Sequence, residues 1–274
     1  MSTNALKRGV NPSYDIQTPV TAAPAVAIIG GSGFYELSDF ESDKQLSVPT
    51  PYGLVEGIEQ GFWAGQPVVF MKRHGNGHKI PPHNINYRAN IWALKTLGIR
   101  QVIAINAVGG IGEGCAPGAL VVPDQIIDYS YGREHTFADE LTDKLNHIEF
   151  AEPYTDSVRQ ALLISATALA LPVITTGCYA CTQGPRLETA AEVTRLQRDG
   201  NTLVGMTAMP EAALARELEM QYGAICIVAN WAAGLSDQPI TLALIHQTLK
   251  EAVTKVQPWL QHYLSHSQSL SLSE

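Results

Sequence analysis

The sequence predicts a single α/β domain around a mixed or mostly parallel sheet, because strand-like and helix-like segments alternate from end to end. An apolar fraction of 45% over 274 residues is enough for a full core, and only 16% of residues are charged. Glycine-rich turns close several of the apolar runs, as in a chain that reverses at the ends of buried strands.

Residues 24–29 are an apolar run ending in Gly30-Gly31-Ser32-Gly33, a buried strand entering a tight turn. Glu41 and Asp43 then fall in a polar loop. Residues 66–71 are a second strand, followed by Lys72-Arg73-His74-Gly75. Residues 84–97 have helical spacing, with Ile85, Ala89, Trp92, Ala93 and Leu97 on one face, and Gly98 stops the helix. Residues 101–107 read as a central strand ending in Val108-Gly109-Gly110-Ile111-Gly112, and 119–127 as a strand pair interrupted by Pro123. The stretch 129–154 is polar, His-rich and aperiodic; loops of that length are often functional or interface-forming. Then come helix 156–171, strand 173–182, helix 188–198 with Thr189 or Glu188 near its start, and strand 203–206. Helix 210–220 opens on Pro210, and strand 224–230 and a long helix over 240–265 complete the pattern. The domain spans 25–264. Residues 1–24 and 265–274 are expected to be flexible tails, the first lacking the apolar core of a signal peptide.

The net charge of −8 carries no basic cluster, which excludes a phosphate backbone as partner. No apolar run reaches membrane-spanning length, so neither nucleic acid nor membrane is an expected partner, and the location expected is cytoplasmic. The four cysteines are expected to stay reduced. Cys178 and Cys181 have Cys-x-x-Cys spacing, but on a strand those thiols point to opposite faces.

Candidate chemistry sits where strands end. Gly30-Gly31-Ser32-Gly33 offers backbone N–H groups and a hydroxyl to a small anion, or is only a turn. A dinucleotide-binding reading would need an acidic ribose reader about twenty residues later, and Glu41 and Asp43 come too early. Arg73 suits two-pronged contact with phosphate and His74 a hydrogen bond or proton exchange. The spacing to His78 and His83 also suits a metal, but no carboxylate accompanies it and no metal is expected. Asn106-Ala107-Val108-Gly109-Gly110 would let a ligand approach its backbone, or is only a turn. Glu188 either caps a helix or accepts from a ligand N–H. Thr207 offers a hydroxyl beside a helix start, and Asn230 ends an apolar strand, where an unpaired amide is costly.

In this order, these segments, with Gln183-Gly184-Pro185-Arg186-Leu187-Glu188-Thr189 and Gly205-Met206-Thr207-Ala208-Met209-Pro210-Glu211, resemble the trimeric purine nucleoside phosphorylase family, and within it the 5′-methylthionucleoside branch, over 25–261. The resemblance implies a partly barrel-like central mixed sheet flanked by helices, a homotrimer, and inorganic phosphate as co-substrate without a cofactor. It implies a phosphate site of Ser32, Arg73, His74, Asn106, Ala107 and Thr207, with Met206 under the ribose. Glu188 and Asn230 would read the base, with Leu187 on the purine face; Asn230, Glu188 and His74 would be the catalytic groups. Leu242 and Ile245 would line an apolar 5′ pocket, and a neighbouring subunit's counterpart of His147 would cover it.

One departure is informative. Members acting on methylthioadenosine carry Asp-x-Asp after the strand that ends here in Asn230-Trp231-Ala232-Ala233, where no carboxylate follows until Asp237. Members acting on 6-oxopurines carry Glu and Asn at the positions of Glu188 and Asn230. Physically, a carboxylate accepts from the N1–H of a 6-oxopurine and an amide donates to O6, whereas adenine reverses both edges. Buried polar groups left unpaired reject the wrong ligand by roughly 10⁴–10⁵-fold. The expected order is methylthioinosine, then inosine or guanosine, with methylthioadenosine poor. The alternatives are a methylthioadenosine phosphorylase, a general inosine or guanosine phosphorylase, and a non-catalytic nucleotide-binding or NAD-dependent protein.

Overall fold

The computed structural model describes residues 25–138, 147–237 and 239–270, with side chains to 266. In chain order the elements are β1 (Val26–Gly30), β2 (Glu41–Thr50), β3 (Gly53–Trp63), β4 (Gln66–Lys72), a 3₁₀ turn (Pro82–Asn84), α1 (Tyr87–Thr96), β5 (Gln101–Gly110), β6 (Leu120–Val121) and β7 (Gln125–Asp128). There follow α2 (Asp156–Ala168), β8 (Cys178–Cys181), α3 (Ala190–Arg198), β9 (Leu203–Gly205), α4 (Ala208–Glu217), β10 (Gln221–Trp231) and α5 (Leu242–Leu270). The tail expected over 1–24 lies outside the described residues.

The apolar runs become central strands because both of their faces are covered. Ala27, Ile29, Val69, Met71, Val102 and Ala104 pack with α1 and α4 on one side. The alternate positions Ile28, Val68, Phe70, Ile103 and Ile105 pack with α2 and α5 on the other. β1 runs parallel to both β4 and β5, and β10 runs parallel to β5 along its other edge. β1 stops at Gly30, and β9 takes its place beside β5 at Gly109 and Gly110. The sheet therefore divides along β5, with β9, β8 and β7 continuing from its far end. That division leaves the carboxyl ends of β1, β4, β9 and β10 around a common gap, the usual place for a ligand in an open α/β sheet.

The hairpin of β2 and β3 replaces the polar loop expected at Glu41 and Asp43. Its first strand is almost wholly exposed and its register shifts twice, so no period-two apolar pattern marks it. The strand read over 173–182 contracts to β8, with Ile174 contributing a single bridge to Val121. Met209 is extended (φ −115, ψ 139) inside the first turn of α4, so regular helix begins at Pro210, as the proline suggests. α5 passes the boundary at 264 and reaches Leu270; Ser265 bonds back to the Gln261 carbonyl rather than breaking the helix. Cys178 and Cys181 do diverge, the first Sγ meeting Asn201 Oδ1 at 3.4 Å and the second lying 3.3 Å from Met209 N. No described helix is long and apolar enough to cross a membrane.

Candidate active site

The strand ends converge on a cleft of about 610 Å³. β1 delivers Gly31 and Ser32, β4 delivers Arg73 and His74, and β5 delivers Ala107. β9 leads into Met206 and Thr207, β10 ends at Asn230, and the segment after β8 brings Leu187 and Glu188. Leu242 and Ile245 of α5 close one end. Asn106 lies just behind the wall, where its Oδ1 accepts from Thr207 Oγ1 at 3.2 Å.

Arg73 is the electrostatic centre of the floor and is 1% exposed. Its Nε and Nη2 donate to the two carboxylate oxygens of Glu211 at 2.6 and 2.8 Å, and Nη1 donates to the Ile105 carbonyl at 3.0 Å. The Tyr222 hydroxyl donates to Glu211 at 2.8 Å. Burial alone would lower the Arg73 pKa; the Glu211 carboxylate more than offsets it and holds the guanidinium charged. Removing either partner of such a pair costs about 3–5 kcal/mol, because it strands a buried charge. With Arg73 balanced by Glu211, the remaining basic side chains lining the cleft are imidazoles.

His74 is one of them. Its Nδ1 lies 2.8 Å from the Ile80 carbonyl, an oxygen that only accepts, so Nδ1 carries the proton and Nε2 the lone pair. Burial, with Arg73 and His78 nearby, lowers its pKa to about 4. The His78 ring lies tilted against it, with centroids 4.2 Å apart and planes at 45°, and approaches Ser32 Oγ at 3.5 Å. His78 thus lines the same wall as Ser32 and His74, and among the described residues no group of three or more His, Cys, Asp or Glu is placed to hold a metal ion.

At the opposite wall, Thr189 caps α3 in a reciprocal pair with Glu192, which frees Glu188 from that task. The Thr182 hydroxyl donates to Glu188 Oε1 at 2.7 Å, leaving Oε2 as an acceptor. Asn230 donates one Nδ2 hydrogen to the Trp231 carbonyl at 2.7 Å and keeps Oδ1 and its second N–H. A bulge between Val228 and Asn230 re-aims this strand end, setting Asn230 opposite Gly109. An acceptor and an amide therefore share the cleft with Ser32, Arg73 and His74. Glu41 and Asp43, on an exposed hairpin, leave the dinucleotide alternative without its ribose reader.

Every residue expected to touch phosphate, base or sugar within one chain lines the cleft or, for Asn106, backs it. His147 does not: it is exposed and outside the lining, so within one chain it is no part of this site. Sequence reasoning missed Glu211, Tyr222 and Thr182 as supports, and Tyr35 and His246 as lining groups at the α5 end. Glu211 carried a signal, a carboxylate within the apolar face of a helix, where an acid is rarely buried without a partner.

A family model described as the phosphorylase superfamily matches residues 25–265. A probable S-methyl-5′-thioinosine phosphorylase of Pseudomonas syringae is 48% identical over 242 residues, 88% of this chain and 98% of that protein. A 6-oxopurine nucleoside phosphorylase of Pyrococcus furiosus is 47% identical over 223 residues, covering 80% of this chain and 83% of that one. The solved methylthioadenosine phosphorylase of Schistosoma mansoni in complex with adenine superposes with a TM-score of 0.83 at 31% identity, over 91% of this chain and 96% of that one.

Proposed function

The chain belongs to the phosphorylase superfamily, and from that premise we propose that it cleaves a 6-oxopurine nucleoside with inorganic phosphate, S-methyl-5′-thioinosine foremost, releasing hypoxanthine and 5-methylthioribose 1-phosphate. The observation that carries this reading is the pairing of Glu188 and Asn230 in one cleft with Ser32, Arg73, His74 and Thr207. With Thr182 donating to one oxygen, Glu188 presents its other oxygen as an acceptor, which suits an N1–H and repels the lone pair of adenine N1.

In this mechanism phosphate rests on the Arg73 floor beneath the anomeric carbon. The glycosidic bond lengthens, cationic charge grows at C1′, and the phosphate oxygen both stabilises and captures it. The purine departs with its developing charge met by the Asn230 amide and its N1–H by Glu188. No side chain becomes covalently attached; the protein contributes position and fixed dipoles. Leu242 and Ile245 favour an apolar 5′ substituent. The working form is a cytoplasmic homotrimer in which a neighbour's copy of His147 covers the 5′ end.

The test is a substrate panel with and without phosphate. Methylthioinosine is expected to lead, inosine and guanosine to follow, and methylthioadenosine to trail by orders of magnitude. Comparable rates with methylthioadenosine would replace this reading by the methylthioadenosine one. Base release that ignores phosphate would remove phosphorolysis altogether.

A further inference from the structure

Arg133 lies in the aperiodic stretch after β7, yet it is only 8% exposed. No carboxylate among the described residues pairs with it; its donors are spent on neutral oxygens. Nη1 donates to the Met206 and Met209 carbonyls at 2.9 and 2.5 Å, and Nη2 to the Thr182 and Gln183 carbonyls at 3.1 and 2.9 Å. Nε donates to Gln183 Oε1 at 3.1 Å. The guanidinium lies 5.6 Å from the centre of the Tyr87 ring, whose hydroxyl donates to the Pro82 carbonyl at 2.9 Å. Met206, Glu188 and Pro82 all line the cleft, and one buried cation reaches the Met206 carbonyl, the segment leading to Glu188 and, through Tyr87, Pro82.

We propose that Arg133 is a positioning residue for the reaction, holding the segment that carries Glu188 at a fixed height above the phosphate floor. The proposal rests on the phosphorolytic reading of the cleft.

The two walls do not depend on it equally. The floor has other supports: Thr207 bonds Asn106 and the Tyr179 hydroxyl, and α4 is tied down by Arg73 and Glu211. Gln183 has fewer. Among the described residues its side chain and carbonyl are held by Arg133 and the Tyr131 N–H. Thr182, whose hydroxyl fixes Glu188, precedes it directly. A planar guanidinium spans both segments at once, whereas a lysine ammonium donates from a single point and cannot.

The experiment compares Arg133→Lys with the wild type on inosine and on N7-methylinosine, whose base leaves readily because its ring already carries positive charge. Displacement of a catalytic wall by an ångström costs roughly 100-fold in rate. The expected result is a kcat loss of about that size on inosine, a much smaller loss on N7-methylinosine, and a phosphate KM changed by no more than a few-fold. A loss that only reflected a loosened fold would fall on both nucleosides alike. Equal losses, an unchanged kcat on inosine, or a collapse of phosphate binding alone would each overturn the proposal. If Arg133→Lys does not fold, Gln183→Leu severs the Nε arm, together with the Tyr131 N–H bond to the same oxygen, and carries the same comparison at smaller amplitude. A wild type that releases base from neither nucleoside sinks the phosphorolytic reading itself, so the two failures are told apart.

Discussion

His74 shows what a single residue's surroundings decide. With Nδ1–H committed to Ile80 and a pKa lowered to about 4, the ring is neutral at neutral pH and offers phosphate a lone pair. A dianion meets repulsion there, unless the complex gains one proton, on the imidazole or on the phosphate. The charged groups around the ring do not change the sign: Arg73 is balanced by Glu211, and His78 resists a second positive charge beside it. Phosphate binding should therefore take up a proton, and the phosphate KM should rise about tenfold per pH unit above the second ionisation of phosphate. In His74→Ala that slope should vanish; a KM flat with pH in the wild type would refute the proton uptake. For the empty protein the sign is separate. The folded pKa lies below the unfolded one, so stability is retained above about 6.5 and declines as pH falls toward about 4. That His74 lines the cleft was legible because Arg73-His74-Gly75 ends a strand. Its protonation state was not, because Ile80 and His78 approach it only through the path of the following loop. Glu211 stands 138 positions from Arg73, and nothing local to either residue announces that they meet.

At the scale of elements, the turn after β1 is what lets β4 and β5 share a floor. A Cβ on Gly31 would stand 2.5 Å from the Ile105 carbonyl and 2.9 Å from Arg73 Nη1, the two groups that bond each other beneath the cleft. Neither yields cheaply: one is backbone of a central strand, the other is pinned by Glu211. Overpacking of this kind costs about 1–3 kcal/mol. Gly31→Ala should thus raise the phosphate KM by roughly 5–150-fold, with a smaller effect on the nucleoside KM, measured by initial rates at saturating co-substrate. An unchanged phosphate KM would mean that the turn does not set the floor. The elements that carry the site were readable from sequence because they are apolar on both faces and end in glycine. The β2–β3 hairpin was not, since bulges break its alternation and solvent covers most of its first strand. Arg133 escaped for a different reason: it works from a stretch with no periodicity, and its partners are carbonyl oxygens, which every sequence possesses.

Across the whole molecule, the cleft looks incomplete at one end. Leu242 lines it yet is 73% exposed, and Leu187, also in the lining, is exposed as well. Apolar side chains grouped at the rim of a binding cleft mark a surface that something covers. His147, exposed and outside the lining of its own cleft, is the matching half of that arrangement if a second copy supplies the cover. Symmetry makes the idea testable, because a residue acting on a neighbour can be supplied by a neighbour. His147→Ala leaves each subunit's own cleft intact but removes the cover it lends. Asn230→Ala destroys its own cleft but still lends a cover. When the two variants are mixed under conditions that exchange subunits, some clefts should receive intact Asn230 from one chain and intact His147 from the other. Activity on methylthioinosine should then exceed the sum of the separate variants, while inosine, with its smaller 5′ substituent, gains less. A mixture that never rises above that sum, although exchange is demonstrated by mass, would place His147 outside the catalytic unit and leave the exposed rim to another partner.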